Sequence, residues 1–159
     1  MELENAGALA TDAIVVQRSG WRDMRSIYAL EKICFGDDAW PLYDVWVALT
    51  WPGIVRFKAL DGERLVGFVF GDLRRRHKLG WVASLGVAPE SRRLGIGRRL
   101  LTTCEQALGT PRIRLTLRQS NEAAYGLYRS EGYVEIDVWP RYYSNGENGI
   151  VMERVLRDV

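Results

Sequence analysis

The stretch of sequence that decides the fold reads Ser84-Leu85-Gly86-Val87-Ala88-Pro89-Glu90-Ser91-Arg92-Arg93-Leu94-Gly95-Ile96-Gly97-Arg98-Arg99-Leu100-Leu101. The apolar run up to Val87 predicts a β-strand, and Pro89 ends it because proline cannot donate a hydrogen bond to a central ladder. From Ile96 onward, apolar residues recur every three or four positions, which predicts an amphipathic helix over 96–108. The stretch is therefore a strand, a tight turn and a helix.

The start of this helix is predicted to bind an anion. The first amides of a helix have no partner within it, and the helix dipole adds partial positive charge at the same end. Gly95 and Gly97 lack the Cβ atoms that would hold a diphosphate away from those amides. Four arginines can add charge-assisted hydrogen bonds to outlying phosphate oxygens: Arg92, Arg93, Arg98 and Arg99. The alternative is a glycine-containing helix start whose arginines only face water.

Two other phosphate-binding motifs are excluded by inspection. The P-loop requires Gly-Lys-Ser/Thr, and no lysine follows Gly97. The Rossmann fingerprint has a third glycine at the position that Leu100 occupies here. The glycine-rich loop is therefore neither a P-loop nor a Rossmann fingerprint.

On either side of this stretch, hydrophobic periodicity predicts a mixed α/β layer. Strands are predicted over 13–18, 55–60, 64–73, 81–87, 113–117, 133–139 and 149–155, and helices over 21–35, 40–49, 96–108 and 121–129. Asp61-Gly62 between the second and third strands is typical of a hairpin. Gly132 is expected to take the left-handed conformation after the last helix.

The composition favours one folded domain over 1–159, with a flexible tail over 1–12. Hydrophobic residues at 47% and charged residues at 26% argue against disorder. A net charge of +2 is too near neutral for a dedicated nucleic-acid binder. No stretch approaches the roughly 20 apolar residues of a membrane span. We therefore expect a cytoplasmic protein with neither a nucleic-acid nor a membrane partner.

The cysteine and histidine residues do not form a pattern that predicts a metal site. Cys34 and Cys104 lie far apart, match no metal-ligand spacing and are expected to be reduced thiols. His77 is the only histidine, which excludes a histidine-dependent triad and a multi-histidine metal site. His77 lies in a basic run over 74–78 that is able to contact nucleic acid or an acidic peptide. A solvated connection between two strands is the favoured interpretation of that run.

The chain resembles the GNAT superfamily of acyl-CoA N-acyltransferases. Arg92-x-x-Gly95-x-Gly97 matches the R/Q-x-x-G-x-G/A signature of that superfamily, and the order of strands and helices fits it over 13–156. Within the superfamily, the chain is most similar to the protein N-terminal acetyltransferases, including the bacterial ribosomal-protein-alanine N-acetyltransferases. Three stretches carry this closer match: 33–35 followed by Trp40-Pro41, Ser120-Asn121-x-x-Ala124 with Leu127-Tyr128, and Arg141-Tyr142-Tyr143.

The resemblance implies both the fold and the acyl donor, which is acetyl-CoA. The fold would be an α/β (α+β) layer with a mixed, mostly antiparallel sheet that splays near Gly86 and has helices on both faces. Gly86 also fits a β-bulge. Leu85, Gly86 and Val87 would offer backbone groups to the pantetheine arm as though it were an added strand. The loop would cradle the diphosphate through Arg92, Arg93, Leu94, Gly95, Ile96, Gly97 and Arg98.

The resemblance also assigns roles at the acyl end of the cofactor. Asn121 matches a position that holds the cofactor there, and Tyr128 matches the general acid of the family. Acyl transfer expels a thiolate, and a phenol hydroxyl near the sulfur can protonate it as charge develops. The alternative is that Tyr128 is only packed on an amphipathic helix.

The sequence departs from the family pattern at the general base. Ribosomal-protein-alanine acetyltransferases carry a glutamate, and some eukaryotic relatives a histidine, where this chain has Thr116. The strand alternation places Thr116 on the polar face. A threonine holds a water but cannot act as a base near neutral pH, so the task moves to solvent or to another group. The possible replacements are Asp37, Asp38 and Glu31, each of which is alternatively a solvated carboxylate.

The acceptor side carries aromatic residues. Tyr142 and Tyr143 resemble the pair that clamps a peptide N-terminus in the N-terminal acetyltransferases, and Trp40 would form another wall of that groove beside Thr116. The alternative is a strand-end aromatic pair. We therefore expect an acetyl-CoA-dependent enzyme that moves an acetyl group directly onto a primary amine, the α-amine of a polypeptide. A small amine or amino acid as acceptor, and a non-catalytic acyl-CoA sensor, remain alternatives. Monomer and dimer are both compatible with the sequence.

Overall fold

The computed structural model describes residues 13–156, and the predicted flexible tail over 1–12 lies outside them. Seven strands and four α-helices follow in chain order: β1 (Ile14–Arg18), α1 (Met24–Phe35), α2 (Leu42–Thr50), β2 (Ile54–Asp61), β3 (Arg64–Arg74), β4 (Leu79–Val87), α3 (Ile96–Leu108), β5 (Arg112–Arg118), α4 (Glu122–Ser130), β6 (Val134–Trp139) and β7 (Gly149–Val155). Short 3₁₀ turns occupy Trp21–Asp23, Gly36–Asp38, Arg75–His77 and Pro89–Ser91.

Each predicted strand and helix is present, and most ends differ by one or two residues. The largest differences occur at the first two helices. The segment predicted as one helix over 21–35 begins with the 3₁₀ turn Trp21–Asp23. The second helix begins at Leu42, because Pro41 is extended with ψ 153°. Gly132 has φ 90°, as expected after α4.

The sheet has the order β1-β2-β3-β4-β5-β7-β6. Neighbouring strands are antiparallel except β4 and β5, which are parallel and pair only at Leu79 with Arg112, Gly80 with Ile113 and Trp81 with Arg114. Beyond Trp81 the two strands diverge, so the edge of β4 over 82–87 faces no neighbouring strand. The predicted splay is therefore confirmed, and it begins at Trp81.

The β-bulge lies at Ala83, and its prediction at Gly86 is wrong. Phe70 pairs with Ser84 and Gly71 pairs with Val82, which leaves Ala83 as the extra residue. Gly86 pairs with Phe68 in regular register. A Cβ atom at Gly86 would lie 2.7 Å from Phe68 Cε1 and 3.1 Å from Cys34 Sγ. This glycine is therefore required by close packing against the sheet and not by an extra residue.

Helices cover both faces of the sheet, as expected. On one face α3 packs its apolar stripe against β3, where a Cβ atom at Gly67 would lie 2.8 Å from Leu100 Cδ1 and one at Gly71 would lie 2.7 Å from Cys104 Sγ. On the other face α1 and α2 bury a second cluster around Phe68 and Phe70 of the same strand: Ile27, Leu30, Val45, Ala48 and Leu49. The two glycines on β3 set the distance of α3 from the sheet.

A buried polar cluster joins α3 to the last strand. Tyr133 donates its hydroxyl hydrogen to Glu105 Oε1 at 2.7 Å, and Arg154 Nη1 donates to Glu105 Oε2 at 2.9 Å. Tyr133 is 1% exposed and Glu105 is 5% exposed. Burial and the adjacent carboxylate raise the pKa of Tyr133 well above its usual range. The carboxylate therefore keeps a neutral donor and a cation as partners.

Candidate functional site

The divergence of β4 and β5 opens a cleft of about 770 Å³. Seven of the residues that the sequence singled out line it: Trp40, Leu85, Thr116, Asn121, Tyr128, Tyr142 and Tyr143. Gly86, Val87 and the loop over 92–98 are not part of its wall. They lie next to it, since a Cβ atom at Gly97 would be 3.7 Å from Val87 Cγ2 and 3.9 Å from Leu85 Cδ2.

The loop before α3 has the backbone geometry of an anion site. Arg93 and Gly95 both have positive φ, 64° and 77°. Arg99 N donates to Gly95 O at 3.1 Å and is the first helical amide with an acceptor in the helix. The amides over 96–98 precede it, so they have no acceptor within the helix. These amides point toward the loop at the N-terminus of α3, where the helix dipole adds partial positive charge.

Three of the four arginines in this region already have hydrogen-bond or ion-pair partners within the protein, which the sequence did not predict. Arg92 Nε donates to the carbonyl of Val87 at 3.1 Å, and Arg98 Nε pairs with Glu131 Oε1 at 2.5 Å. Arg99 Nη1 donates to the carbonyl of Ile14 at 2.9 Å. Arg93 is exposed, and its side chain makes no hydrogen bond or ion pair with another residue of 13–156. In this structure the backbone amides and Arg93 are therefore the groups most open to a phosphate.

Tyr128 lies on α4 with its ring at the cleft wall and only 8% exposed. Burial, with smaller effects from Tyr143 and Cys104, raises the pKa of Tyr128 to about 12. The phenol is therefore protonated at neutral pH, which suits a hydrogen-bond or proton donor. Asn121 starts the same helix by accepting from Ala124 N through Oδ1 at 3.1 Å. It lies two helical turns before Tyr128, so both residues are on one side of α4.

Two polar atoms in the cleft wall are buried without a partner. They are Thr116 Oγ1 on β5 and Trp81 Nε1 on β4, which make no hydrogen bond to the part of the chain that the structure describes. The sequence placed Thr116 correctly on the polar face of its strand. It did not identify Trp81, which stacks on Trp139 at a ring distance of 5.9 Å. Buried polar groups are normally hydrogen-bonded, so these two atoms are exceptions in the cleft wall.

The three carboxylates considered as replacement bases have different surroundings. Asp38 accepts from Arg118 through both oxygens, at 2.5 and 2.8 Å, so neither oxygen is open to an amine. Asp37 is exposed at the cleft. Glu31 is 1% exposed and accepts from Trp40 N at 3.2 Å and from Ser84 Oγ at 3.0 Å. Its pKa is raised by burial, which the two hydrogen bonds oppose in part.

Arg118 connects several residues at the Tyr143 side of the cleft, and the sequence did not identify it as a site residue. Besides Asp38, it donates through Nη1 to Glu147 Oε2 at 2.5 Å, and its guanidinium lies 4.4 Å from the centre of the Tyr143 ring. Ser120 N donates to the other oxygen of Glu147 at 2.7 Å. The contacts with Ser120 and Arg118 lower the pKa of Glu147 to about 2.

The aromatic residues form one continuous wall. Trp139 and Tyr142 have ring centres 5.1 Å apart, and Tyr142 meets Tyr143 edge-on at 5.1 Å. Burial raises the pKa of Tyr143 to about 12, so this phenol is neutral as well. Across the cleft, Trp40 stacks on Phe70 at 5.7 Å. The structure therefore brings the predicted acceptor residues to one groove.

The basic run over 74–78 is the exposed connection from β3 to β4, and only Arg74 lines the cleft, where it pairs with Asp72 at 3.3 Å. Over residues 13–156, no cluster of three or more His, Cys, Asp or Glu side chains could hold a metal ion. No helix in the same range is long and apolar enough to cross a membrane.

Comparison with known proteins gives a consistent result. Residues 21–133 match the Acetyltransferase (GNAT) family, which is more than half of the chain. The N-terminal acetyltransferase A complex catalytic subunit NAA10 of Arabidopsis thaliana is 27% identical over 151 residues, which cover 91% of this chain and 79% of that protein.

Two solved structures show the same fold. The ribosomal-protein-S18-alanine N-acetyltransferase from Escherichia coli superposes with a TM-score of 0.82 at 22% identity and covers 92% of this chain and 96% of its own. A chain of the NatC complex bound to Gag peptide and CoA superposes with a TM-score of 0.80 at 23% identity, covering 91% of this chain and 99% of its own. The predicted sheet with helices on both faces is confirmed by these likenesses.

Proposed function

Because this chain belongs to the GNAT acetyltransferase family, whose acyl donor is acetyl-CoA, we propose that it acetylates the α-amine at the N-terminus of a polypeptide. The acceptor is supported by the aromatic groove between Trp40 and the Tyr142–Tyr143 pair, since all three residues line the same cleft. It is also supported by the relatives, among which an N-terminal acetyltransferase catalytic subunit and a peptide-bound neighbour stand out.

The cofactor lies, in this proposal, along the unpaired edge of β4. The pantetheine arm pairs with backbone groups of Leu85, Gly86 and Val87 in the way an added strand would. The diphosphate lies on the free amides over 96–98, within the loop formed by Arg92, Arg93, Leu94, Gly95, Ile96, Gly97 and Arg98. Asn121 and Tyr128 are at the acyl end, because both line the cleft that follows from this edge.

Transfer is direct in this arrangement. The neutral amine attacks the thioester carbon, and the bond from that carbon to sulfur breaks as the tetrahedral intermediate collapses. Tyr128, which is neutral and buried, donates its hydroxyl hydrogen toward the departing sulfur. A substantial part of the rate comes from holding amine and thioester together in one cleft.

One observation carries the proposal: the open β4 edge, the Tyr128 phenol and the aromatic groove meet in a single cleft. The test is thiol release from acetyl-CoA with a panel of peptides that have free N-termini. Matched controls are the same peptides with acetylated N-termini and an internal lysine, and a panel of small amines and amino acids. We expect release only with free peptide N-termini. Release with small amines alone would assign the acceptor to that class, and CoA binding without any release would indicate a sensor.

A further inference from the structure

Glu31 is unusual among the carboxylates that line the cleft. Within residues 13–156, Asp38 is paired with Arg118, Asp72 is paired with Arg74 and Asp37 is exposed. Glu31 is buried and has no cation as partner in that range. A buried carboxylate without a counter-ion is costly unless it can take up a proton, so a group of this kind at an active cleft is a candidate proton acceptor.

The Ser84 hydroxyl links this carboxylate to the cleft. Ser84 Oγ donates to Glu31 Oε2 at 3.0 Å, and both residues line the cleft. A hydroxyl that donates its one hydrogen still has two lone pairs, which can accept a hydrogen from a third group. Ser84 is on β4 in the stretch that has no strand neighbour on its outer edge. It is next to Leu85, where the pantetheine arm is proposed to pair, and it lines the same cleft as Asn121 and Tyr128 at the proposed acyl end.

The other oxygen of Glu31 also has a fixed partner. Trp40 N donates to Glu31 Oε1 at 3.2 Å and so holds the carboxylate in one orientation. One titratable group on the same helix lies close to Glu31, the Cys34 thiol. Burial raises the pKa of Cys34, and the cation next to that thiol is Arg92. Ser84 from β4 and Trp40 from the segment before α2 contribute no charge. Burial raises the pKa of Glu31 above its ordinary value, and the hydrogen bonds from Trp40 N and Ser84 Oγ oppose this in part.

Thr116 gives no route for the proton that the acceptor amine must lose. Its Oγ1 is buried and makes no hydrogen bond within the described chain. Thr116 stands where relatives have a base, and it cannot accept a proton near neutral pH. The proton must therefore leave by another route.

We propose that Glu31, acting through the Ser84 hydroxyl, receives the proton that the acceptor ammonium must lose before it attacks. The ammonium gives one proton to Ser84 Oγ as Ser84 passes its own to Glu31 Oε2, which leaves a neutral amine and a protonated Glu31. The second proton leaves the nitrogen after attack and reaches the sulfur of CoA through Tyr128. Glu31 then releases its proton to solvent. This inference rests on the proposed acetyl transfer but not on a polypeptide as the acceptor.

The test compares Glu31→Gln with Glu63→Gln, which removes an exposed carboxylate outside the cleft. Glutamine keeps the shape of Glu31 and can still accept from Trp40 N, so a merely structural role leaves the pH profile unchanged. Thiol release is measured from pH 5 to 10, together with the CoA affinity and the melting temperature. We expect kcat of Glu31→Gln to fall by about 100-fold near neutral pH, with the CoA affinity unchanged. Activity should recover above the pKa of the acceptor amine, whereas Glu63→Gln keeps the parental profile.

Ser84→Ala provides the second variant. Its loss should match that of Glu31→Gln, and the double variant should lose no more than either single variant, because one proton route is removed in all three. Parental rates in Glu31→Gln, or an unchanged pH profile, overturn the inference while the acetyl transfer stands. A parent enzyme that releases no thiol with any acceptor overturns both proposals. If Glu31→Gln does not fold, a parental pH profile in Ser84→Ala overturns the route.

Discussion

Arg118 holds the carboxylate of Asp38 with two parallel hydrogen bonds, from Nε to Oδ2 at 2.5 Å and from Nη2 to Oδ1 at 2.8 Å. Asp38 ends the turn before α2, and Arg118 ends β5, so the bond connects two segments on opposite sides of the cleft. The remaining nitrogen, Nη1, reaches Glu147 in the loop before β7. A single guanidinium therefore sets the spacing of the acceptor groove.

Replacing Arg118 should affect the acceptor more than the donor. We expect Arg118→Ala to raise KM for the acceptor by about tenfold while the CoA affinity changes little, because the loop with Tyr143 and the turn with Asp38 lose their common anchor. Arg118→Lys should recover only part of the loss, since an ammonium cannot make the two parallel bonds. Steady-state kinetics measure both constants.

The control for Arg118 is Arg114→Ala. Arg114 is on the same face of β5 but pairs with Glu153 and does not line the cleft. An equal rise in KM in this control would mean that the effect comes from loss of an arginine on β5 and not from the cleft.

Glu147 should make the protein less stable in acid. Its pKa is lowered to about 2 in the folded state, against an ordinary value of 4.5. The unfolded chain therefore binds this proton first, so the stabilisation is complete above pH 4.5 and is lost as the pH falls toward 2. Denaturant unfolding at several pH values should show a flatter acid limb for Glu147→Gln than for the parent. Glu63→Gln, at an exposed turn, is the control and should retain the parental slope.

Tyr128→Phe should lower turnover more than cofactor affinity. The hydroxyl hydrogen-bonds to no residue of 13–156, so its removal leaves the fold intact, but the departing thiolate then has no donor. We expect kcat to fall by about 100-fold with CoA binding unchanged, as calorimetry and thiol release can show. Tyr125→Phe on the same helix is the control. A Tyr128→Phe rate equal to that of the parent would assign the sulfur to water or another group.

Two substitutions at Gly97 separate the effect of charge on CoA binding from the effect of side-chain size. A Cβ atom there would be 3.4 Å from Leu127 Cδ2, an ordinary contact, so Gly97→Ala should fold and bind CoA. Gly97→Glu places a negative charge on the amides that are proposed to hold the diphosphate, and we expect CoA affinity to fall by more than about tenfold. Calorimetry on both variants provides the test. Parental affinity in Gly97→Glu would exclude these amides as the phosphate site.

Tyr133→Phe should destabilise the fold without changing the chemistry. It removes a buried hydrogen bond to the carboxylate of Glu105 and leaves that oxygen unsatisfied. Hydrogen bonds to charged groups contribute about 1.5–3 kcal/mol, and we expect the free energy of unfolding to fall by this amount. Denaturant unfolding measures it, and Tyr125→Phe, which removes only a long 3.4 Å hydrogen bond to Glu135, serves again as the control. A change below about 0.5 kcal/mol would mean that Arg154 alone satisfies the carboxylate.

Local pattern was sufficient to predict most of the fold. The helix over 96–108 was placed to the residue, because its apolar stripe begins after Gly95 and ends before Gly109. Strand alternation likewise placed Thr116 and Arg118 on one face of β5. The bulge at Gly86 was wrong, because a glycine in a strand indicates either a bulge or a close contact, and sequence does not distinguish them.

The parts of the site that sequence missed depend on distant partners. Arg118 and Asp38 are 80 residues apart, and Trp81 meets Trp139 only after β4 and β6 are in the same sheet. Nothing local distinguishes Arg118 from Arg112 or Arg114 on the same strand. The burial of Glu31 was not predictable either, because it follows from the packing of α1 on β4 and not from its neighbours in sequence.

Because β4 and β5 pair at only three positions, the main-chain groups of β4 along the gap have no neighbouring strand. Both halves of the sheet are held together mainly by the apolar side chains under α3, including Val69 on one half and Leu115 on the other. The main-chain groups along the gap are therefore able to hydrogen-bond to any extended, amide-containing molecule. In the proposed arrangement, discrimination among such molecules therefore depends on the two ends of the gap, with the phosphate loop at one end and the aromatic residues at the other.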